Sequence, residues 1–130
     1  MMSKILRDIA FVTFLLFIIG TIIAANLGQL GSTFAFAQKI PYFDKFGHFV
    51  LMGGLAFLAM IAFVPRMEGT QRKSTTKVII ILLTVIALEE ASQHFIPSRT
   101  FSVADFLFGV IGVLIAGAVS KHLPLKKENR

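Results

Sequence analysis

Residues 88–109 read LEEASQHFIPSRTFSVADFLFG, and this stretch decides how the rest of the chain is interpreted. Two adjacent carboxylates, an amide, a histidine, an arginine and an aspartate interrupt sequence that is strongly apolar on both sides. Ionisable side chains within or beside an apolar segment of membrane length are costly, so they indicate function by default. The stretch therefore predicts a polar site, provided that the flanking sequence is that of a membrane protein.

The composition of the chain is typical of a membrane protein. Of its 130 residues, 55% are hydrophobic and only 15% are charged, whereas soluble domains are about 45–50% apolar and about 25% charged. The length suits one domain, residues 1–130. The net charge of +6 does not favour a nucleic-acid partner, because the basic residues lie in short runs between apolar segments. The chain has no cysteine, which excludes disulfides and thiolate chemistry.

Four apolar segments come close to the roughly 20 residues that a transmembrane helix needs. They cover residues 9–27, 46–64, 78–96 and 101–119. Pro65 and Pro97 stand just beyond the second and third segments, where a helix is expected to end. Because helices satisfy their own backbone hydrogen bonds in lipid, the sequence predicts an all-α integral membrane protein, built as a four-transmembrane-helix bundle.

The basic residues predict the orientation of the bundle. If four helices cross, ten Lys and Arg side chains fall on the side of both termini, and three fall on the other side. Basic loops favour the cytoplasm, so both termini are expected to be cytoplasmic. A signal peptide ending at Ala35-Phe36-Ala37 is the alternative for the N-terminus. The first apolar run is longer than a usual signal segment, which favours an uncleaved helix.

This topology places the rare polar residues at one level, near the outer ends of the helices. The predicted site consists of Asp44, Lys45, His48, Glu90, Gln93, Arg99 and Asp105. Members three or four residues apart share a helix face, as Asp44 and His48 do. Three small residues follow Asp105 at i+4, i+7 and i+11, and small residues let membrane helices approach closely. The sequence therefore predicts a polar cluster that faces into the bundle and opens to the outside.

The order and spacing of these residues resemble the VanZ family, small bacterial membrane proteins named for one that lowers susceptibility to the glycopeptide teicoplanin. The matching run is Asp44-Lys45-x-x-His48, then Glu90-x-x-Gln93, then Pro97-x-Arg99, with Asp105 six residues later. It spans roughly residues 41–117. The resemblance implies a four-helix envelope protein of the bacterial cell membrane (inner or cytoplasmic), with these residues as its site on the extracytoplasmic side. It implies no particular reaction. This sequence departs from the family pattern at Gly109, where the family commonly has asparagine.

Three functional hypotheses remain open for this cluster. In the preferred one, an envelope protein binds a membrane lipid, a lipid-linked cell-wall precursor or an amphiphilic antibiotic, and lowers susceptibility to glycopeptides or lipoglycopeptides. In the second, a membrane hydrolase or transferase acts on a lipid-linked substrate, with His48, Glu90 and Asp105 as candidate catalytic groups and Arg99 as a phosphate clamp. In the third, an accessory subunit uses the cluster only to lock its helices together. No cofactor is expected.

Two further ionisable residues are assigned no role in the site. Glu89 lies about 100° around the helix from Glu90, so it is expected to reach lipid headgroups or Lys45. Arg99 or Lys45 is the expected partner of Glu90. His94 lies four residues after Glu90, a spacing that allows a metal ligand set with another histidine and an aspartate, but no metal site is predicted.

Overall fold

The computed structural model describes residues 2–33, 35–36 and 39–125, and the regular elements within them are all helical. The α-helices are α1 (Lys4–Asn26), α2 (Leu30–Thr33), α3 (Phe43–Phe63), α4 (Gln71–Gln93) and α5 (Val103–His122). A 3-10 turn, Val64–Arg66, continues α3. The all-α prediction is confirmed, and the short α2 was not predicted. Ala37, in the alternative signal-peptide site, and the basic residues beyond Leu125 lie outside the described residues.

The four long helices correspond to the four apolar segments, with different ends. The largest difference is in α4, which begins at Gln71 and not at Val78. Its N-cap is Thr70, whose side chain accepts a hydrogen bond from the backbone N–H of Lys73 at 3.3 Å. The apolar run marks the part of a helix suited to lipid, whereas capping determines where the helix begins. The apolar run therefore underestimated the length of α4 at its N-terminal end.

Among the described residues, three helices are long and apolar enough to cross a membrane. They are Lys4–Asn26, Phe43–Arg66 and Val103–His122. The fourth long helix, α4, has 23 residues, but every 18-residue stretch of it contains at least three charged side chains. These helices indicate a multi-pass membrane protein. A fourth crossing and cytoplasmic termini stay predictions.

Helix α3 is the centre of the bundle, because it packs against α1, α4 and α5. Its closest contact is with α5, where Gly112 lies against the α3 backbone. A Cβ atom built on Gly112 would overlap the carbonyl oxygen of Phe49 and lie 3.0 Å from the backbone nitrogen of Gly53. Gly109, Gly112 and Ala116 are all buried. The prediction that the small residues of this helix face the bundle is confirmed.

Helix α1 lies at the periphery of the bundle. Only Arg7 and Ile18 are buried along its length. The ring of Phe11 meets that of Phe63 edge to face, with centroids 4.9 Å apart, which holds α1 against α3. Little direct contact joins α1 to α4, although both pack on α3. An open groove therefore remains between α1 and α4.

Polar contacts show which helix ends lie together. Arg7 Nη1 donates to the carbonyl oxygen of Ile61 at 3.1 Å, which brings the start of α1 to the end of α3. Gln71 Nε2 donates to the carbonyl oxygen of Ser120 at 2.8 Å, which brings the start of α4 to the end of α5. The long helices therefore alternate in direction. We call this end of the bundle the basic end; its described charged residues are Lys4, Arg7, Arg66, Arg72, Lys73, Lys77 and Lys121, with Asp8 and Glu68.

Candidate functional site: a polar network at one end of the bundle

The predicted site residues all lie at the end of the bundle opposite the basic end. They sit at the start of α3, the end of α4, the α4–α5 loop and the start of α5, and the alternating helix directions bring these positions together. Ion pairs and hydrogen bonds connect them, with three further residues, into one polar network, and the backbone N–H groups of Ser102 and Asp105 link its two halves. The polar network consists of Asn26, Asp44, Lys45, His48, Glu89, Glu90, Gln93, Arg99, Ser102 and Asp105.

The half-exposed side of the polar network joins α3 to α5. Lys45 Nζ lies between two carboxylates, 2.8 Å from Asp44 Oδ2 and 3.4 Å from Asp105 Oδ1. His48 Nε2 lies 3.7 Å from the other oxygen of Asp105. The side chains of Lys45 and His48 are 23% and 28% exposed. Lys45 and His48, on successive turns of α3, therefore face the same carboxylate of α5, that of Asp105. Both side chains are exposed enough for a ligand to reach them.

The buried side of the network joins α4 to α5. Glu90 is 2% exposed and Gln93 is 3% exposed. Gln93 Nε2 donates to Glu89 Oε2 at 2.9 Å and to Glu90 Oε2 at 3.2 Å. The other oxygen of Glu90 accepts the backbone N–H of Ser102 at 3.0 Å. Glu90 therefore ties the last turn of α4 to the first residue before α5.

The prediction that Arg99 or Lys45 pairs with Glu90 is wrong. Arg99 Nη2 lies 3.6 Å from Glu89 Oε1 instead. Because adjacent residues of a helix point about 100° apart, Glu90 faces the bundle and Glu89 faces the loop that carries Arg99. Glu89 is thus part of the network, contrary to expectation. His94 is exposed at the C-terminal cap of α4 and makes no described contact with the network.

Sequence reasoning also missed Asn26 and Ser102. Asn26, the last residue of α1, accepts hydrogen bonds from Ser98 Oγ on its carbonyl oxygen (2.5 Å) and from Arg99 Nη1 on its side-chain oxygen (3.3 Å). Nothing in the local sequence distinguishes this asparagine. Ser102 did carry a signal, because Ser102-Val-Ala-Asp105 before an apolar run has the spacing of a helix capping box.

The cap of α5 differs from an ordinary capping box in a way that matters for the site. Ser102 Oγ accepts the backbone N–H of Asp105 at 3.3 Å, as expected of an N-cap. In a capping box the acidic side chain three residues later bonds back to the N–H of the cap residue. Here Glu90 accepts that N–H. The Asp105 carboxylate is thereby left to contact α3.

Replacing Ser102 by alanine should destabilise the protein by about 1 kcal/mol, the usual cost of losing an N-cap side chain. The loss should be seen as a lower thermal unfolding temperature in detergent. Ser102→Thr keeps a capping hydroxyl and is the matched control, with an unfolding temperature near that of the wild type. Equal losses in both variants would show that the hydroxyl does not cap α5.

The position where the family resemblance departs, Gly109, carries no polar contact. It is buried one turn after Asp105, and a Cβ atom built there would lie 3.2 Å from Cγ of Met52. A larger polar side chain would have to displace that methionine. The polar network therefore ends at Asp105 on this helix, and α3 and α5 approach each other more closely beyond it.

The charge balance of the network determines which ligands suit it. Four carboxylates surround two basic side chains and one histidine. Lys45 and Arg99 each contact at least one carboxylate. Asp105 Oδ1 is buried without a hydrogen bond, and its cation contact is Lys45 at 3.4 Å. The network is therefore better suited to a group that donates hydrogen bonds than to an anion, which would have to displace a carboxylate from its basic partner.

No arrangement of three or more His, Cys, Asp or Glu side chains suited to a metal ion occurs in the part of the chain that the structure describes.

Comparisons with protein-family models, with curated proteins and with solved structures found no match to this chain. The resemblance to the VanZ family rests on the motif residues and stays a prediction.

Proposed function

We propose that the chain is a four-span envelope membrane protein of the VanZ type, whose polar network binds the headgroup of an amphiphile at the outer face of the membrane. The amphiphile is a membrane lipid, a lipid-linked cell-wall precursor or an amphiphilic antibiotic. One observation carries the proposal: residues from all four long helices form a single network, with a half-exposed side at Lys45 and His48 and a buried base at Glu90 and Gln93.

The distribution of charge along α4 supports a fourth crossing. Its basic residues lie in the first two turns and its acidic residues in the last two, so residues 78–88 form an uncharged middle. The hydroxyl of Thr84, within this middle, donates to the carbonyl oxygen of Ile80 at 2.9 Å and so needs no outside partner. Helix α4 packs against α3 and α5, which are both apolar enough to span. With the basic end in the cytoplasm, the polar network faces outward.

The negative balance of the network narrows the chemistry of the headgroup. Arg99 is bonded to Asn26 and contacts Glu89, so a phosphate would have to compete with the Glu89 carboxylate for this guanidinium. A headgroup with ammonium or amide donors can add hydrogen bonds to the Asp105 carboxylate without breaking an ion pair. Hydrogen bonds to charged acceptors are among the stronger ones in proteins. We therefore favour an amine-bearing or amide-bearing headgroup over a bare phosphate.

Expression of the protein in a glycopeptide-sensitive bacterium should raise the minimum inhibitory concentration of teicoplanin, and Asp105→Asn should abolish the increase. Asp105→Asn removes the charge that faces Lys45 and His48 while nearly preserving the side-chain volume. The matched control is Asp8→Asn, which loses an equivalent carboxylate at the basic end, where Asp8 contacts Arg66 at 2.7 Å. Abundance in membranes is measured for each variant. Unchanged susceptibility on expression, or equal effects of the two variants, would contradict the proposal.

A purely structural role of the network is the second candidate, and a specific observation favours it. Glu90 is buried, and its two carboxylate oxygens are bonded to Gln93 and to the backbone of Ser102. Such an arrangement holds the α4–α5 connection whether or not a ligand binds. Under this alternative, any loss of phenotype follows the loss of stability from one variant to the next.

A further inference from the structure

The groove between α1 and α4 contains an open cavity of about 400 Å³, far from the polar network and next to the basic end. Its floor is formed by Ala59 and Phe63 of α3. Its walls are Phe11 of α1 and the α4 residues Val78 and Leu82. Because α1 and α4 both pack on α3 but hardly touch each other, the cavity is open along the side of the bundle that would face lipid.

One basic side chain lines this cavity, and two more lie on the same face of α4 toward the basic end. Arg66 is its charged lining residue and is held in place by Asp8, with Nη2 2.7 Å from Oδ1. Lys77 lies one helical turn before Ile81, another lining residue, so the two share a face of α4. Lys73 lies one further turn toward the end of the helix, and both lysines are exposed. Seven basic and two acidic side chains occupy the described part of the basic end.

We propose that this cavity holds an acyl chain of an anionic phospholipid, with the phosphate of the lipid at Lys73 and Lys77. The lining, apart from Arg66, is hydrocarbon or thioether, so it suits a lipid tail and not a polar ligand. Basic pockets between transmembrane helices on the cytoplasmic side select anionic headgroups, because each nearby Lys or Arg adds attraction to the phosphate. The site depends on the membrane location of the chain and is independent of what the polar network binds.

The full-length protein, purified in a neutral detergent, should bind dioleoyl-phosphatidylglycerol more tightly than dioleoyl-phosphatidylcholine in lipid titrations followed by native mass spectrometry. Lys77→Gln should weaken phosphatidylglycerol binding about fivefold and leave phosphatidylcholine binding almost unchanged, as expected for one lysine near a lipid phosphate. Lys121→Gln is the matched control, because it removes the same charge from α5 at the basic end but away from the cavity.

Filling the cavity tests the place of the acyl chain. Ile81 and Ile80 are each 59% exposed, so the fold should tolerate a larger side chain at either position. Ile81→Trp adds bulk to the lining and should abolish the preferred binding of phosphatidylglycerol, whereas Ile80→Trp adds the same bulk outside the lining and should preserve it. Equal binding of the two lipids by the wild type, or equal effects of the two tryptophan variants, would overturn the proposal. So would a wild-type dimer that Ile81→Trp alone dissociates, because a second copy would then fill the groove.

Discussion

Replacing Gly112 by alanine should destabilise the protein by about 3 kcal/mol, the upper part of the range for overpacking a tightly packed interior. The added methyl group would overlap the carbonyl oxygen of Phe49 and crowd the backbone of Gly53. Both obstacles are main-chain atoms of α3, so no side-chain rotation relieves them. Helices α3 and α5 would have to separate, and every neighbouring contact between them would weaken.

The effect of Gly112→Ala is measured as the free energy of unfolding in mixed detergent micelles, with Gly20→Ala as the control. A Cβ atom at Gly20 meets nothing within 4 Å, and alanine is the better helix former. The control should therefore be neutral or slightly more stable than the wild type. A Gly112→Ala variant as stable as Gly20→Ala would mean that α3 and α5 do not approach at this residue.

Replacing Glu90 by alanine should also cost about 3 kcal/mol. The change leaves two hydrogen-bond donors without their acceptor: one side-chain N–H of the buried Gln93 and the partly buried backbone N–H of Ser102. An unsatisfied buried polar group costs about 1–3 kcal/mol, and the missing side chain adds a cavity. We expect a lower free energy of unfolding and less protein in extracted membranes.

Glu90→Gln separates the structural role of this residue from a role of its charge. The amide oxygen of glutamine still accepts the N–H of Ser102. The bond from Gln93 is lost, because rotating the Gln93 amide to restore it would turn its oxygen toward the Glu89 carboxylate to which it now donates. We therefore expect a loss of about 1 kcal/mol, smaller than that of Glu90→Ala. Lost teicoplanin resistance at this small loss of stability, with normal abundance in membranes, would assign the carboxylate charge to ligand binding. Resistance that follows stability in both variants would instead support the structural role. Asp8→Asn is again the matched control, since it neutralises a carboxylate at the basic end, away from the polar network.

Much of the architecture could be predicted because it depends on periodicity within single segments. The apolar runs located the four long helices, and the small residues after Asp105 identified the face of α5 that packs on α3. The alternating directions of the long helices could be predicted from the loops that join consecutive apolar segments. The same reasoning predicted that Lys45, His48 and Asp105 lie at the same height in the bundle, near one end of the helices. In the structure, Lys45 and His48 both contact Asp105.

The features that sequence reasoning missed depend on how distant segments are positioned against one another. Whether Glu89 or Glu90 faces the bundle depends on the rotation of α4 about its own axis, and packing against α3 and α5 sets that rotation. The same rotation explains why Arg99 contacts Glu89 and not Glu90, its expected partner. Asn26 joins the network because α1 ends beside a loop more than seventy residues later. The cavity exists because two helices fail to meet, a relation that no local pattern encodes.

The peripheral place of α1 has a consequence for how the protein is assembled. The ribosome makes α1 before its main partner, α3, yet α3 has its own closest contact with α5, which is made later still. Membrane helices associate mainly by close packing, so the α3–α5 pair is the natural nucleus and α1 is added to its outside. The order of synthesis and the order of packing then differ, because α1 is made before both helices of the pair to which it is added.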